Sequence, residues 1–160
     1  MSEAPETPAT RALALSGIDY EVTVHGRVNS LEEAAAARGV VPRQMIKTIV
    51  VRRGSGDYLF VLVPGDREIS WPKLRAVLGV SRMSMPDKDV AREVTGYERG
   101  TITPFGSTTA WPVIADALLV QREGPVSIGA GAHGVSATVA PEQLVEVLGA
   151  AVADVTEPLG

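Results

Sequence analysis

Val40–Arg53 has the sequence Val-Val-Pro-Arg-Gln-Met-Ile-Lys-Thr-Ile-Val-Val-Arg-Arg, and the prediction of the fold depends on this segment. It predicts a turn at Pro42 followed by a strand rich in β-branched residues. Because strand side chains alternate, both faces of this strand are mostly apolar, which is typical of a central strand covered on both sides. Lys47 is the exception, and its ammonium group either reaches past the rim of the sheet to water or points into a cavity.

Glycine and proline divide the rest of the chain into short elements. Helices are predicted at Pro8–Ser16, after the capping box Ser30–Glu33, from Ser70 to Gly79, at Pro86–Thr95 and from Pro141 to Gly149. Strands are predicted at 18–24, 58–63, 80–84, 113–120, 125–128, 135–139 and 151–155. Pro64–Arg67 is predicted to be a loop.

These elements predict an α+β fold, a single domain with a mixed, curved, barrel-like β-sheet flanked by helices. The central strand and the strand at 58–63 are close enough in sequence to form an antiparallel hairpin. The predicted organisation is a flexible tail at 1–8, a domain at 9–155 and a C-terminal tail at 156–160.

The composition is that of an ordinary globular domain. The 160 residues are 45% apolar and 21% charged, and none is cysteine, which excludes disulfides and thiolate metal sites. The sequence has no leader with a cleavage site and no long uncharged apolar run, so we expect a cytoplasmic protein without membrane contact.

Basic residues are concentrated in one segment. Between Arg38 and Arg82 there are nine basic and three acidic residues, a net charge of +6, so the remainder carries −10 of the total of −4. This segment is either a set of solvated side chains or a local positive potential for a ligand that carries phosphate.

Three features have residue types that chemistry uses: Lys47, the Gly96–Gly106 loop and the Gly129–Gly134 turn with His133. Glycine turns expose amide groups to a phosphate or an oxyanion, although most short ones only connect strands, and a turn histidine is commonly just solvated. Neither segment fits the dinucleotide or P-loop pattern, and no Gly-x-Ser-x-Gly is present. With two histidines and no cysteine, no metal and no cofactor are expected.

Taken in order, these segments resemble the YbaK family, the free-standing relatives of the editing domain inserted in bacterial prolyl-tRNA synthetases. The matching elements are Asp19-Tyr20, His25, Glu32–Ala35, Ile46-Lys47-Thr48, Val63–Arg67, Leu74–Gly79, Thr95-Gly96, Gly100, Pro104–Gly106, Gly129–Gly134 and the terminal helix with Leu144. The resemblance extends from about Leu13 to Ala150, nearly the whole chain.

The resemblance implies an aminoacyl-tRNA deacylase that hydrolyses the ester between a wrong amino acid and the terminal ribose of a tRNA, typically the tRNA for proline. It implies that Lys47 is essential and holds the terminal adenosine. The partners it implies are the acceptor end of an aminoacyl-tRNA and a prolyl-tRNA synthetase from which the tRNA is captured. The substrate-binding residues it implies are Tyr20, His25, Gly100, Thr103, Pro104, Phe105, Gly106, Gly129, Gly131 and His133.

Two positions depart from the family pattern. Members specialised for cysteinyl-tRNA tend to carry a serine and an aspartate around the last glycine turn, where this chain has Gly129 and Ser136. The amino acid removed therefore stays open between cysteine and alanine, serine or threonine, and the preferred tRNA, the role of His133 and the oligomeric state stay open too. The alternative to an enzyme is a non-catalytic module of the same fold that binds an RNA end or a nucleotide.

Overall fold

The computed structural model describes residues 5–160. The strands are β1 (Tyr20–Val24), β2 (Met45–Gly54), β3 (Asp57–Pro64), β4 (Arg67–Ile69), β5 (Val113–Asp116), β6 (Val126–Gly129), β7 (Val135–Val139), β8 (Ala151–Ala153) and β9 (Thr156–Pro158). The helices are α1 (Pro8–Ser16), α2 (Leu31–Ala37), α3 (Trp71–Leu78), α4 (Lys88–Thr95), α5 (Leu118–Gln121) and α6 (Pro141–Leu148), and a 3₁₀ turn at Pro42–Gln44 precedes β2.

Seven strands form one mixed sheet in the order β1-β7-β6-β2-β3-β5-β8. The hairpins β2/β3 and β6/β7 and the pair β1/β7 are antiparallel, whereas β6/β2, β3/β5 and β5/β8 are parallel. β4 and β9 make a separate antiparallel pair. The predicted α+β class, with a mixed sheet and flanking helices, is confirmed.

The central strands β2 and β3 are covered on both faces, as the apolar pattern of Val40–Arg53 predicts. On one face, Phe60 of β3 packs in a core that includes Leu13 of α1 and Leu144 of α6. On the other face, Val61 packs in a second core with Leu74 of α3. Burying side chains of this size stabilises the fold by about 1.5–3 kcal/mol each, so both faces of the hairpin contribute to the stability of the sheet.

Local capping signals place the helix ends close to the predicted positions. The Ser30 hydroxyl accepts from the Glu33 amide at 3.0 Å, and the Ser70 hydroxyl accepts from the Lys73 amide. The capping box at Ser30 differs in one detail, because the Glu33 carboxylate accepts from the amide of Asn29 at 2.7 Å instead of the amide of Ser30.

Two predicted strands are wrong in whole or in part. Residues 80–84 contribute only an isolated bridge between Ser84 and Arg52. The strand predicted at 113–120 ends at Asp116, where the buried carboxylate accepts from the amide of Leu118 at 3.2 Å and turns the chain into α5. That carboxylate also accepts from the amide of Val155 at 3.1 Å, so Asp116 has a structural role.

The chain end also differs from the prediction. Residues 156–158, predicted to belong to a tail, form β9, and Arg67–Ile69, predicted as loop or connection, forms its partner β4. Of the N-terminal tail predicted at 1–8, residues 1–4 lie outside the described residues, while Thr7 caps α1 and Pro8 begins it. Over residues 5–160, no helix has the length and apolar character needed to cross a membrane.

Candidate active site

A cleft opens near the middle of the large sheet, where β2 and β6 separate. Their parallel pairing ends at Ile46 opposite Ile128, so β6 does not accompany β2 beyond Ile46. The segment that leads into α4 and the loop around Gly100 line the same space. Together they enclose a cleft of about 810 Å³, which falls within the usual size range of ligand sites in proteins.

The face of the sheet that carries Lys47 is polar where it continues onto β6 and β7. Ser127 lies opposite Met45 in the parallel pair, so alternation places Ser127 and Gly129 on the same face as Lys47. Ser136 of β7 pairs with Gly129 and shares this face. Both serines are 0% exposed, and the Ser136 hydroxyl has no hydrogen-bond partner within the described chain. Two buried serines therefore lie on the Lys47 face of the neighbouring strands, outside the lining of the cleft.

The ammonium group of Lys47 is held by the backbone of β4. Its Nζ donates to the carbonyl oxygen of Arg67. Burial lowers the pKa of Lys47, and the charges of Glu68 and Asp66 counter that shift. An ammonium has three N–H donors, so the bond to Arg67 leaves two for a ligand.

The Val63–Arg67 motif fixes the carbonyl that Lys47 uses. Gly65 lets the chain pass close to Pro42, because a Cβ at Gly65 would lie 2.3 Å from the Pro42 carbonyl oxygen. Asp66 accepts two hydrogen bonds from Arg122, at 2.8 and 2.9 Å, and these hold the pKa of Asp66 below its usual value. The motif is therefore a rigid support behind Lys47.

Among the charged residues that line the cleft, cations outnumber carboxylates. Arg38, Lys47, Lys88 and Arg99 all line it, and none of them forms an ion pair with a carboxylate among residues 5–160. Among residues 5–160, Asp87 is the one carboxylate in the lining, and it caps α4 by accepting from the Val90 amide at 2.9 Å. The cleft is thus suited to an anionic ligand.

Part of the predicted site comes together here. Lys47, Gly100 and Gly129 line one cleft. His133 lies beside its rim, because a Cβ at Gly100 would be 3.4 Å from the His133 ring. The His133 side chain is 69% exposed, and its Nε2 lies 3.0 Å from a carboxylate oxygen of Glu98.

The Pro104-Phe105-Gly106 segment lies outside the lining of this cleft and packs into the first core. Phe105 is buried there, and its carbonyl accepts from the Tyr97 hydroxyl at 2.7 Å. Thr103 is fully buried behind it. A Cβ at Gly106 would be 2.4 Å from the carbonyl oxygen of Pro8, so this glycine allows the loop to approach α1.

The remaining predicted residues also lie away from the cleft lining. Gly131 packs against the ring of Tyr97. Tyr20 is on the edge strand β1, where it is 38% exposed. The amide of His25 donates to the carbonyl of Gly134 at 2.8 Å, which joins the end of β1 to the last glycine turn. Substrate binding by these residues stays a prediction.

Several lining residues were not predicted from the sequence: Arg38, Thr48, Asp87, Lys88 and Arg99. Arg38 is at the start of the basic segment, and that excess of charge was the only signal for it. Ser127, which contacts Arg38, had no signal at all, since it is one polar residue in a short buried strand.

Two known proteins illustrate which sequences this chain resembles. The proline--tRNA ligase of Geobacter sp. (strain M21) is 34% identical over 90 residues, which are 56% of this chain and 16% of the ligase. EbsC of Enterococcus faecalis, a candidate Cys-tRNA(Pro)/Cys-tRNA(Cys) deacylase, is 25% identical over 127 residues, which are 79% of this chain and 77% of EbsC.

A solved structure extends the match to the fold. The crystal structure of a candidate trans-editing enzyme for prolyl tRNA synthetase has a TM-score of 0.84 and 25% identity, over 96% of this chain and 99% of that one. This chain therefore spans most of its two compact relatives but only a small part of the ligase. Residues 25–147 match the family model of the aminoacyl-tRNA editing domain, and the chain belongs to this family.

Proposed function

We propose that this protein is a free-standing deacylase that hydrolyses the ester bond of mischarged aminoacyl-tRNA in translation quality control. The observation that carries the proposal is the position of Lys47, at a cationic cleft in a chain of the editing-domain family. EbsC and the trans-editing protein are both described as enzymes, and this similarity supports hydrolysis over the non-catalytic binding module.

The cleft offers positive groups where the reaction develops negative charge. Water adds to the ester carbonyl carbon, the bond from that carbon to the ribose oxygen breaks, and the ribose oxygen takes up the proton that water loses. Lys47 has two donors left for an oxygen of the substrate, and the amide of Gly100 makes no hydrogen bond to the described chain. Fixed donors of this kind stabilise the oxyanion, which is usually a large part of catalysis.

No protein side chain in the cleft is placed to act as the general base. Lys47 would have to lose its proton to act as a base, and the charges of Glu68 and Asp66 oppose that loss, while the Asp87 carboxylate is used in capping α4. We propose that a ribose hydroxyl of the substrate assists the attack of water. For a cysteinyl ester, the thiol of the substrate attacks the carbonyl carbon in place of water, the bond from that carbon to the ribose oxygen breaks, and the ribose oxygen takes up the thiol proton. Water then hydrolyses the cyclic thioester that is released.

A small amino acid on the tRNA for proline is the substrate that we propose. Gly129 lines the cleft without a side chain, and a Cβ there would meet only the carbonyl oxygen of Ile102, at 3.8 Å, so the cleft has room for a small side chain at this point. Cysteine, alanine, serine and threonine all have side chains of this size. We further propose that the protein acts in the cytoplasm and takes its tRNA from prolyl-tRNA synthetase.

The proposal is tested with tRNA for proline charged separately with proline, alanine, cysteine, serine and threonine. We expect hydrolysis of a mischarged species, with a loss of roughly 10²–10³-fold in kcat for Lys47→Ala at an unchanged melting temperature. Lys73→Ala is the matched control, because Lys73 is paired with Asp154 outside the cleft. Near-normal turnover by Lys47→Ala would overturn the role of Lys47, and binding of every tRNA without hydrolysis would establish the binding module.

A further inference from the structure

We propose that Arg38 binds the phosphate group nearest the ester, the one that joins the terminal adenosine to the rest of the tRNA. This inference rests on the proposed function and assigns a residue to one chemical group of its substrate. The evidence is the position of Arg38, its unused donors and the chemistry of an aminoacyl-tRNA end.

Arg38 lies over the strand next to Lys47. It is the C-cap of α2, and its Nη1 is 3.5 Å from the hydroxyl of Ser127 on β6. Ser127 is opposite Met45, two residues before Lys47 on the same face of β2. The Cα atoms of Ser127 and Lys47 are therefore roughly 8 Å apart, from the strand spacing and the rise per residue. Arg38 and Lys47 both line the cleft, so one nucleotide bound there can contact both side chains.

The guanidinium of Arg38 has hydrogen-bond donors to spare in a half-buried place. Its Nε is buried without a partner, and no carboxylate of residues 5–160 pairs with it. Burial lowers the pKa of Arg38, which is the expected effect on a cation withdrawn from water. A buried cation without a counterion destabilises the protein, and a bound anion offsets that cost.

Only phosphate can supply that anion at the end of an aminoacyl-tRNA. The carboxyl group of the amino acid is esterified and uncharged, and its amino group is a cation that Arg38 repels. The planar fork of a guanidinium fits two phosphate oxygens at once, which a lysine ammonium does not do. Lys88 and Arg99, the other unassigned cations of the cleft, are exposed and need no anion to offset desolvation.

The test compares two small esters that differ by one phosphate: the 2′(3′)-O-aminoacyl ester of adenosine and that of adenosine 5′-monophosphate. The quantity compared is kcat/KM for the monophosphate ester divided by kcat/KM for the adenosine ester. In Arg38→Gln we expect this ratio to fall roughly ten- to hundredfold, mainly because KM for the monophosphate ester rises. Arg38→Lys should recover part of the ratio. Arg27→Gln, an exposed arginine before α2, should leave the ratio as in the wild type.

Each remaining outcome decides between the two proposals. An equal loss on both esters in Arg38→Gln means that Arg38 supports the fold or the chemistry, and it overturns phosphate binding. If the wild type cleaves neither ester nor charged tRNA, the deacylase proposal fails by itself. In that case the binding of adenosine 5′-monophosphate is compared with the binding of adenosine. If the wild type prefers the monophosphate and Arg38→Gln loses this preference, phosphate binding by Arg38 is supported. If the wild type has no preference, phosphate binding is overturned.

Discussion

Tyr97, the second residue of the Gly96–Gly106 loop, joins this loop to the other glycine-rich segment of the chain. Its ring packs against Gly131, where a Cβ would lie 2.8 Å from a ring carbon, and its hydroxyl donates to the carbonyl of Phe105 at 2.7 Å. Tyr97 is 4% exposed, and burial raises its pKa to about 12. One buried tyrosine thereby connects the loop beside the cleft to the turn after β6.

Tyr97→Phe is expected to lower the free energy of unfolding by about 1–3 kcal/mol, because the buried carbonyl of Phe105 loses its donor. The pKa of the folded state exceeds that of the unfolded state, so this residue contributes stability that is complete below about pH 10 and is lost as the pH rises toward 12. Urea unfolding at pH 8, 10 and 11.5 measures both effects. If the free energy of unfolding of Tyr97→Phe falls as steeply above pH 10 as that of the wild type, Tyr97 is not the source of the fall.

Residues differ in how much of their role the sequence reveals. Lys47 was predicted because a lysine inside a strand of apolar residues is unusual, and the few residues around it are enough to show this. Arg38 was not, because an arginine at a helix end is ordinary until Ser127, 89 positions away, is placed beside it. Local chemistry shows what a residue is, and only the fold shows what it faces.

Helix α4 begins at the cleft, and one side chain both starts the helix and sets the local charge. Asp87 accepts from the Val90 amide as the N-cap and is the carboxylate in the cleft lining. Aspartate and asparagine cap helices about equally well, whereas alanine does not cap. The two effects of Asp87 are therefore separable by substitution.

Asp87→Asn keeps the cap and removes the negative charge, so we expect KM for charged tRNA to fall roughly two- to tenfold at low salt with unchanged stability. Asp87→Ala should in addition lower the free energy of unfolding by about 0.5–2 kcal/mol. Steady-state kinetics and urea unfolding of both variants test this. A rise in KM for Asp87→Asn would mean that the carboxylate contacts the substrate.

At the level of elements, the predictions succeeded where the signal is local. The caps at Ser30 and Ser70 and the β2/β3 hairpin are each specified by neighbouring residues. β4 and β9 were not predicted because each has three residues and its hydrogen-bond partner is the other strand, far away in the sequence. The strand predicted at 80–84 is wrong because the pairing of this segment in the described chain is a single bridge from Ser84 to Arg52.

In the whole molecule, six of the nine basic residues between Arg38 and Arg82 line two neighbouring surfaces. Arg38 and Lys47 line the cleft. A shallow depression is lined by Arg52, Arg53, Arg75 and Arg82. The chain itself connects the two surfaces, because residues 81–84 line the depression and residues 85–88 line the cleft. The sequence contained the charge excess, but the division into two surfaces depends on the turn of β2 into β3 and on the position of α3.

This arrangement predicts where the stem of the tRNA leaves the cleft. If the terminal nucleotide occupies the cleft, the phosphates of the stem are drawn to the arginine depression, since positive potential there continues from the site. Arg52→Gln combined with Arg75→Gln should raise KM for charged tRNA while kcat stays near the wild-type value. The slope of log(kcat/KM) against log salt should become shallower by about one for each phosphate that the variant no longer neutralises.

The control for this double variant is Arg11→Gln, because Arg11 lies on α1 and pairs with Glu6. A second control is the aminoacyl ester of adenosine 5′-monophosphate, which has no stem to reach the depression and should be cleaved as by the wild type. If the double variant loses as much kcat/KM on this short ester as on tRNA, the two arginines act on the cleft itself. That result would contradict a contact with the stem. An unchanged salt slope on tRNA would place the stem on another surface.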